Sequence, residues 1–190
     1  CRLNYAAVIN LRRRRKKGSD KKLLSFTDYV IKDDIENLKG KWSSKFENNN
    51  PIHVEFGTGR GKFITTHAKN NLDINYIAME IKEEVLLKAV EKAHEANLNN
   101  ILFVWGNVNN ILDYFEEKEI SRVYVNFCDP WPKKRWAKRR LTHSSFLEKY
   151  DTILKDDGEL HFKTDNRDLF EFSLNEIAAS NWMLSLIHIS

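Results

Sequence analysis

The stretch Ile-His-Val-Glu-Phe-Gly-Thr-Gly-Arg-Gly, residues 52–61, joins an apolar run to three closely spaced glycines. The apolar run predicts a short buried strand, and the glycines allow the chain to turn tightly where that strand ends. Ligands of open parallel sheets bind at this end of the strands. The stretch therefore predicts an α/β protein with a ligand site directly after its first long strand.

Apolar runs and amphipathic segments alternate along the rest of the chain. Further strands are predicted at residues 75–81, 101–105, 122–127 and 159–163, and helical spacing marks the segments 85–93, 146–154 and 169–179. This alternation favours a parallel sheet with helices on both faces. The length of 190 residues fits one domain with a substantial core.

Carboxylates accompany the glycine stretch. Glu55 stands two residues before Gly57, and Glu80 follows the last glycine by 80 − 61 = 19 residues. A pyrophosphate-binding fingerprint has the spacing G-x-G-x-x-G, whereas the third glycine here comes one residue early. Carboxylates beside the loop disfavour a pyrophosphate and suit a cation, and an acid at the distance of Glu80 is typical of a ribose contact.

A third polar group completes this set. Asn107 follows the third predicted strand and can hydrogen-bond an adenine edge. A nucleoside with a cationic centre and no phosphate fits all of these groups, which predicts S-adenosylmethionine as cofactor. The cofactor-binding candidates are Glu55, Gly57, Thr58, Gly59, Gly61, Glu80 and Asn107. Taken without the acids, the glycines would indicate only a tight turn.

The stretch Phe-Cys-Asp-Pro-Trp-Pro-Lys-Lys-Arg-Trp-Ala-Lys-Arg-Arg, residues 127–140, combines an acid, two prolines and six basic residues. The prolines prevent a helix or strand from running through the corner, which would hold Asp129 and Trp131 at the same edge of the sheet. We expect residues 133–140 to form a helix that grips phosphates while the corner presents a base. The alternative is a plain turn with a buried Trp beside a solvated helix.

Positive charge is concentrated in two segments. Residues 12–22 hold eight Lys or Arg and residues 133–140 hold six, out of 31 in a chain of net charge +4. Concentrated charge of this kind usually meets phosphate, although a solvated arm and a charged helix face would look the same. Two cysteines, no zinc-ligand spacing, no secretory signal and no membrane-length apolar run predict a cytoplasmic protein without a metal site or membrane contact.

Polar residues also end the fifth predicted strand, in the sequence His-Phe-Lys-Thr-Asp-Asn at residues 161–166. Asp165 is a candidate for a second contact to the base. An equally simple interpretation makes Asp165 the N-cap of the following helix.

Four segments together resemble the bacterial tRNA (guanine-N7)-methyltransferases, the TrmB family. They are EFGTGRG at 55–61, NFCDPWPKKR at 126–135, KRRLT at 138–142 and HFKTDN at 161–166. The resemblance spans about Lys41 to Trp182. It implies a Rossmann-like class I S-adenosylmethionine-dependent methyltransferase fold, with a mostly parallel sheet, and methylation of N7 of a guanine in the variable loop of tRNA.

The resemblance also implies roles for single residues. It places Asp129 as the catalytic residue and as a cofactor contact beside Glu55, Glu80 and Asn107. It implies substrate contacts at Lys133 and Asp165, and RNA contacts at Arg135, Trp136, Ala137, Lys138, Arg139 and Arg140. Trp136 stands where the family usually has His, and Asn107 where it often has Asp.

The sequence predicts a chain of three parts. We expect residues 1–40 to be a basic, partly flexible arm, residues 41–183 to be the methyltransferase domain, and residues 184–190 to be a non-native tail. The family's C-terminal Thr-x-Tyr-Glu segment and the last two strands of its sheet do not follow in this sequence. The expected partner is tRNA, with the protein a monomer or a homodimer.

Three other functions compete with this one. An amino-group methyltransferase acting on adenine or cytosine would also use an acid–proline corner. A nicotinamide dehydrogenase is disfavoured by the glycine spacing. A non-catalytic RNA-binding protein would explain the basic segments but would leave Glu55 and Glu80 without a role.

Overall fold

The computed structural model describes residues 18–184. The basic run at 12–17 and residues 185–190 of the predicted tail lie outside the described residues. Within them, six strands form one sheet, and every strand pairing is parallel. No helix in this range combines the length and the apolar composition that crossing a bilayer would require.

The five strands predicted from the sequence are confirmed, three of them with shifted boundaries. The strands are β1 Val30–Ile31, β2 Ile52–Phe56, β3 Asn75–Glu80, β4 Ile101–Trp105, β5 Ile120–Asn126 and β6 Leu154–Lys163. They lie in the sheet in the order β1-β4-β3-β2-β5-β6. β6 begins at Leu154 rather than at residue 159, because Lys155, Asp156 and Asp157 are exposed and can extend an edge strand without being buried. The sequence Asp-Asp-Gly at 156–158 therefore lies inside a strand.

Helices cover both faces of the sheet. The α-helices are α1 Ser19–Leu24, α2 Trp42–Phe46, α3 Lys62–Asn70, α4 Glu83–Glu95, α5 Ile111–Tyr114, α6 Ser144–Ile153 and α7 Arg167–Ala178. Short 3-10 helices span Ile35–Leu38, Val108–Asn110 and Lys134–Arg139. The last of these replaces the longer helix predicted over 133–140, because charges on nearly every face leave no apolar stripe to hold an α-helix against the core.

Two apolar clusters, one on each face, hold the layers together. Val54 and Phe56 of β2 pack in the first cluster, where Phe56 stacks on Tyr150 of α6 with ring centroids 5.5 Å apart. The second cluster joins Ala78 of β3 to Ala89 and other buried residues of α4. The alternation along β2 and β3 therefore places Glu55 and Glu80 on the face that α4 covers.

The N-terminal segment up to residue 40 was expected to be a partly flexible arm, but its described part packs against the rest of the domain. Leu23 of α1 is fully buried, and α1 lies against α4, where Lys22 Nζ donates to Glu91 Oε1 at 2.6 Å. β1 pairs with β4 through Val30 and Ile31. A strand of two residues is too short to give a periodic signal, so it was not predicted.

Candidate active site

The carboxyl ends of β2 and β5 meet where the order of the sheet changes direction. The chain passes from β2 to β3 and β4 on one side, and then places β5 on the other side of β2. Ligands of open parallel sheets bind at such a switch point. Glu55, Glu80 and Asn126 stand at the ends of β2, β3 and β5 and therefore share this edge.

The glycine loop turns the chain from β2 into α3. Gly57, Gly59 and Gly61 have φ values of 74°, 57° and 71°, in the left-handed region that favours glycine. A Cβ added to Gly61 would lie 2.5 Å from Ala89 Cβ, whereas one added to Gly57 would meet no described atom within 4 Å. Gly61 is thus required for helix packing, and the backbone at Gly57 stays accessible to a ligand.

Glu55 is buried behind this loop, with 2% of its surface exposed. Thr58 Oγ1 donates to its Oε2 at 2.5 Å, and Asn126 Nδ2 donates to its Oε1 at 3.0 Å. Burial raises the pKa of Glu55 to about 7, and these two hydrogen bonds oppose the rise. The sequence pointed to Glu55 and Thr58 but not to Asn126, whose contact crosses from β5 to β2.

Asn126 ends β5 with an unsatisfied acceptor. Its side chain is buried, and no described group hydrogen-bonds to its Oδ1. A buried acceptor without a partner is unusual in folded proteins. The Asn126 oxygen and the Glu55 carboxyl together favour a ligand that brings hydrogen-bond donors or positive charge to the end of β5.

The buried Glu55 should make the stability of the ligand-free protein depend on pH. Because its folded pKa of about 7 exceeds the ordinary 4.5, the folded chain holds its proton more tightly than the unfolded chain. The stability is therefore full below pH 4.5, falls as the pH rises to 7, and then levels off. Glu55→Gln should remove a destabilisation on the order of 3 kcal/mol at pH 8.

Urea unfolding at pH 5 and at pH 8 measures this effect. The parent protein should lose stability between the two pH values by more than Glu55→Gln does, and the two proteins should be most alike at pH 5. Equal losses in both proteins would contradict the assignment of the raised pKa to Glu55.

Glu80 ties the glycine loop to the end of β3. Its Oε2 accepts from the Gly59 amide at 3.2 Å, and its Oε1 accepts from the amides of Ile81 and Lys82 at 3.0 and 3.1 Å. The carboxylate is only half-buried. The next side chain, Ile81, is 56% exposed and offers an apolar surface beside the acid, and no pattern in the sequence indicates it.

Asn107 follows β4 at the same edge, as predicted. Its Oδ1 accepts from the Asn109 amide at 3.0 Å and caps the 3-10 helix Val108–Asn110. The Gly106 amide, one residue earlier, donates to Glu80 O at 3.3 Å. Since the cap engages the oxygen of Asn107, a ligand contact from this residue would use its Nδ2 donor.

The proline corner is strained on both sides of Asp129. Phe127 and Trp131 have φ values of 50° and 43°, which bulky side chains rarely adopt. Asp129 is exposed, and Trp131 is partly exposed rather than buried as a plain turn would have it. Burial raises the pKa of Cys128 to about 11, so its thiol stays protonated near neutral pH and is a poor nucleophile.

The basic segment that follows gathers its cations around Trp136. Lys133 Nζ and the Arg135 guanidinium lie 4.9 and 5.3 Å from the centre of the Trp136 ring, and Trp131 meets Trp136 edge-to-face at 5.8 Å. The Arg139 guanidinium lies 5.0 Å from the Trp131 ring. These contacts are at the surface, where cations remain available to a polyanion.

The remaining RNA-contact candidates differ in exposure. Lys138 is exposed, and Ala137 is half-buried with its carbonyl accepting from the Arg140 amide at 3.0 Å. Arg140 is also half-buried, and its guanidinium points to the carbonyls of Pro130 and Trp131. The structure thus separates Arg140 from the exposed cations that the sequence grouped with it.

A surface pocket lies at the end of β6. It is lined by Thr164, Asp165, Asn166, Arg167 and Phe170. Asn166 Oδ1 accepts from the Leu169 amide at 2.8 Å and caps α7, so the interpretation of Asp165 as the N-cap is wrong. Asp165 is exposed and lines the pocket, and its carboxylate does not cap the helix.

The surface at the carboxyl ends of the strands has an acidic part and a basic part. Glu55 and Glu80 lie around the glycine loop, whereas the cations of residues 133–139 lie beyond the proline corner. Nowhere in residues 18–184 do three His, Cys, Asp or Glu side chains come together as a metal site would need. The acidic part suits a cationic ligand of modest size, and the basic part suits a chain of phosphates.

Known proteins match most of this chain. A family model described as "Putative methyltransferase" matches residues 49–187. The tRNA (guanine-N(7)-)-methyltransferase of Clostridioides difficile (strain 630) is 75% identical over 179 residues, covering 94% of this chain and 84% of the relative. The enzyme of the same name from Streptococcus pneumoniae (strain 70585) is 49% identical over 164 residues, covering 86% and 77%.

Solved structures match the fold at lower identity. The aminoglycoside resistance methyltransferase NpmB1 is 22% identical with a TM-score of 0.55, covering 74% of this chain and 67% of that one. The antibiotic-resistance methyltransferase Kmr is 18% identical with a TM-score of 0.52, and 68% of each chain is covered. At this identity the likeness concerns the fold, and it agrees with the predicted Rossmann-like methyltransferase architecture.

Proposed function

The chain belongs to the tRNA (guanine-N7)-methyltransferase family, and we propose on this premise that it transfers a methyl group from S-adenosyl-L-methionine to N7 of a guanine in tRNA. The observation that supports this most is the meeting of two sites at one sheet edge. An acid-lined glycine loop lies beside a rigid corner that presents Asp129, and exposed cations follow. We place the target guanine in the variable loop.

The residues around the glycine loop fit S-adenosylmethionine. The backbone at Gly57 is open to a ligand, and the Glu55 carboxyl and the orphaned Asn126 oxygen accept donors or positive charge. Glu80 would hold the ribose hydroxyls, with Ile81 as apolar surface for the adenine. When bound, the cofactor supplies an electrophilic methyl group on a positively charged sulfur. Asn107 would contact the adenine edge.

The ribose assignment predicts a loss of cofactor affinity in Glu80→Ala. A charge-assisted hydrogen bond of this kind is worth on the order of 1–3 kcal/mol. Calorimetric titration with S-adenosylmethionine should show a larger dissociation constant, by the factor that corresponds to this free energy. Glu95→Ala, which removes an exposed acid at the end of α4, is the matched control and should bind as the parent does.

Glu80 also accepts the Gly59 amide, so the melting temperature of Glu80→Ala has to be measured beside its affinity. Glu80→Gln keeps an acceptor and tests the charge alone. Full cofactor affinity in a folded Glu80→Ala protein would refute the ribose assignment.

The chemistry requires little proton transfer. N7 of guanine already has an available lone pair, so the protein has to align this atom with the methyl carbon and exclude competing orientations. Methylation makes the purine positively charged. The Asp129 carboxylate, held by the strained corner, would accept an N–H of the guanine and stabilise that charge as it develops.

The substrate contacts extend from the corner in two directions. Lys133 and Asp165 would contact the guanine nucleotide from the basic segment and from the pocket at the end of β6. The exposed cations Arg135, Lys138 and Arg139 would bind the tRNA backbone, with Trp136 and Ala137 beside them. Because its proposed substrate is tRNA, we assign the protein to the cytoplasm.

Two transcripts of the same tRNA test this function. One contains guanosine, and in the other 7-deazaguanosine replaces every guanosine, so that position 7 has carbon in place of nitrogen. The protein should transfer labelled methyl groups to the first transcript and none to the second. Equal incorporation into both would contradict N7 as the acceptor, after equal binding of the two transcripts has been checked.

A further inference from the structure

We propose that Arg140 is a positioning residue that fixes the backbone of the Asp129 corner, and that it is not a phosphate contact. This inference rests on the proposed function, because it assumes that the corner has to present Asp129 to a substrate. It separates Arg140 from the other cations of residues 133–140, which the sequence pattern treats as one group.

The guanidinium of Arg140 spans two successive carbonyl groups. Its Nε donates to Pro130 O at 3.1 Å, and its Nη2 donates to Trp131 O at 3.1 Å. These two carbonyls stand on either side of the Trp131 Cα. Because a guanidinium is planar and its donors have a fixed spacing, binding both oxygens at once fixes the relative orientation of the two peptide groups.

This contact lies at a residue whose backbone conformation is unusual. Trp131 has a φ of 43°, and a bulky residue in the left-handed region persists only where its surroundings hold it there. The orientation of the two peptide groups is set by the φ and ψ of Trp131. Arg140 therefore stabilises the unusual conformation of a residue that lies two positions after Asp129.

Arg140 is itself anchored to the body of the domain. Its guanidinium lies 4.2 Å from the centre of the Phe172 ring, on α7. Its own amide donates to Ala137 O, and its carbonyl accepts from the His143 amide, both at 3.0 Å. The two carbonyls engage two of the five N–H donors of Arg140, and its half-buried position against the Phe172 ring makes it less accessible to a phosphate than the exposed Arg135, Lys138 and Arg139.

Lys138 offers a matched comparison on the same segment. It is exposed, and among the described residues no hydrogen bond, ion pair or ring contact involves its side chain. If both residues grip phosphates, their substitutions should have the same effects. If Arg140 positions the corner, the two substitutions should differ in kind.

The test compares Arg140→Ala, Arg140→Lys and Lys138→Ala in three measurements. These are kcat and KM for tRNA, the slope of log affinity for tRNA against log salt, and the near-ultraviolet circular dichroism of the protein without ligands. The third reports on the Trp131–Trp136 pair and needs no activity.

For Arg140→Ala we expect at least a tenfold loss of kcat, an unchanged salt slope and an altered tryptophan band. Arg140→Lys should behave similarly, because one ammonium cannot reproduce the planar two-carbonyl contact. Lys138→Ala should leave the tryptophan band as in the parent, raise KM and reduce the salt slope by roughly 0.7–0.9.

The inference is overturned if Arg140→Lys restores parental kcat, or if Arg140→Ala reduces the salt slope and leaves the tryptophan band unchanged. If Arg140→Ala does not fold, Arg140→Lys decides by the same criteria. If the parent forms no 7-methylguanosine, the proposed function fails, and the tryptophan band of the ligand-free variants still decides whether Arg140 holds the corner.

Discussion

Replacement of Asp129 by alanine should abolish methyl transfer and leave the fold intact. Asp129 is exposed after β5, so its removal creates no cavity and breaks no core contact. Loss of a preorganised group that stabilises developing charge costs roughly 100- to 1,000-fold in kcat. Asp129→Asn should also lose most of its activity, because the amide keeps the shape of the side chain but has no charge to offset that of the methylated purine.

Single-turnover methylation with excess enzyme measures the effect on the chemical step. Asp157→Ala is the matched control, since it removes an exposed acid from β6 far from the carboxyl ends of the strands, and it should turn over as the parent does. Melting temperatures establish that the variants are folded. A folded Asp129→Ala protein with turnover near the parental rate would show that the assignment of Asp129 is wrong.

Neutralising Arg135, Lys138 and Arg139 together should strongly weaken tRNA binding. All three are exposed on the segment after the proline corner. Binding to phosphates releases counterions, so the slope of log affinity against log salt should become shallower by roughly 0.7–0.9 for each phosphate that the variant no longer binds. Affinity for S-adenosylmethionine should stay as in the parent, because the cofactor residues lie around the glycine loop.

The matched control removes the same charge at the amino ends of the strands, opposite the candidate site. Lys45, Lys69 and Lys155 are exposed there, at the ends of α2 and α3 and near the start of β6. Their neutralisation should have a small effect on affinity and on the salt slope. Equal effects of the two triple variants would indicate attraction by net charge alone, and parental binding by the first would leave the basic segment as a solvated surface.

The fold could be predicted from the sequence wherever a run of residues was long enough to show its period. β2, β3 and β4 were predicted because buried parallel strands are nearly continuous apolar runs, whereas the edge strand β6 was predicted only over its partly apolar second half. The short strand β1 was missed because the two residues Val30–Ile31 are too few to show a periodic pattern of apolar residues. The segment Lys134–Arg139 was predicted as a helix, but its 3-10 form was not predicted, since charge gives no information about hydrogen-bond spacing.

The candidate site was predictable to the extent that its residues lie at strand ends. Glu55, Glu80 and Asn107 could be placed at one edge from their positions alone. The bond from Asn126 to Glu55 could not, because it depends on β5 lying next to β2, and sequence order does not give that neighbour. Arg140 was grouped with its neighbours because a sequence shows the charge of a side chain and not where that side chain points.

Identification of the methylated nucleoside shows directly which atom of tRNA the protein methylates. The protein is incubated with labelled S-adenosylmethionine and bulk tRNA that lacks 7-methylguanosine, and the tRNA is then digested to nucleosides and separated by chromatography with mass spectrometry. We expect the label to appear in 7-methylguanosine. Label in a methylated adenosine or cytidine, or no label in tRNA that the protein binds together with its cofactor, would contradict it.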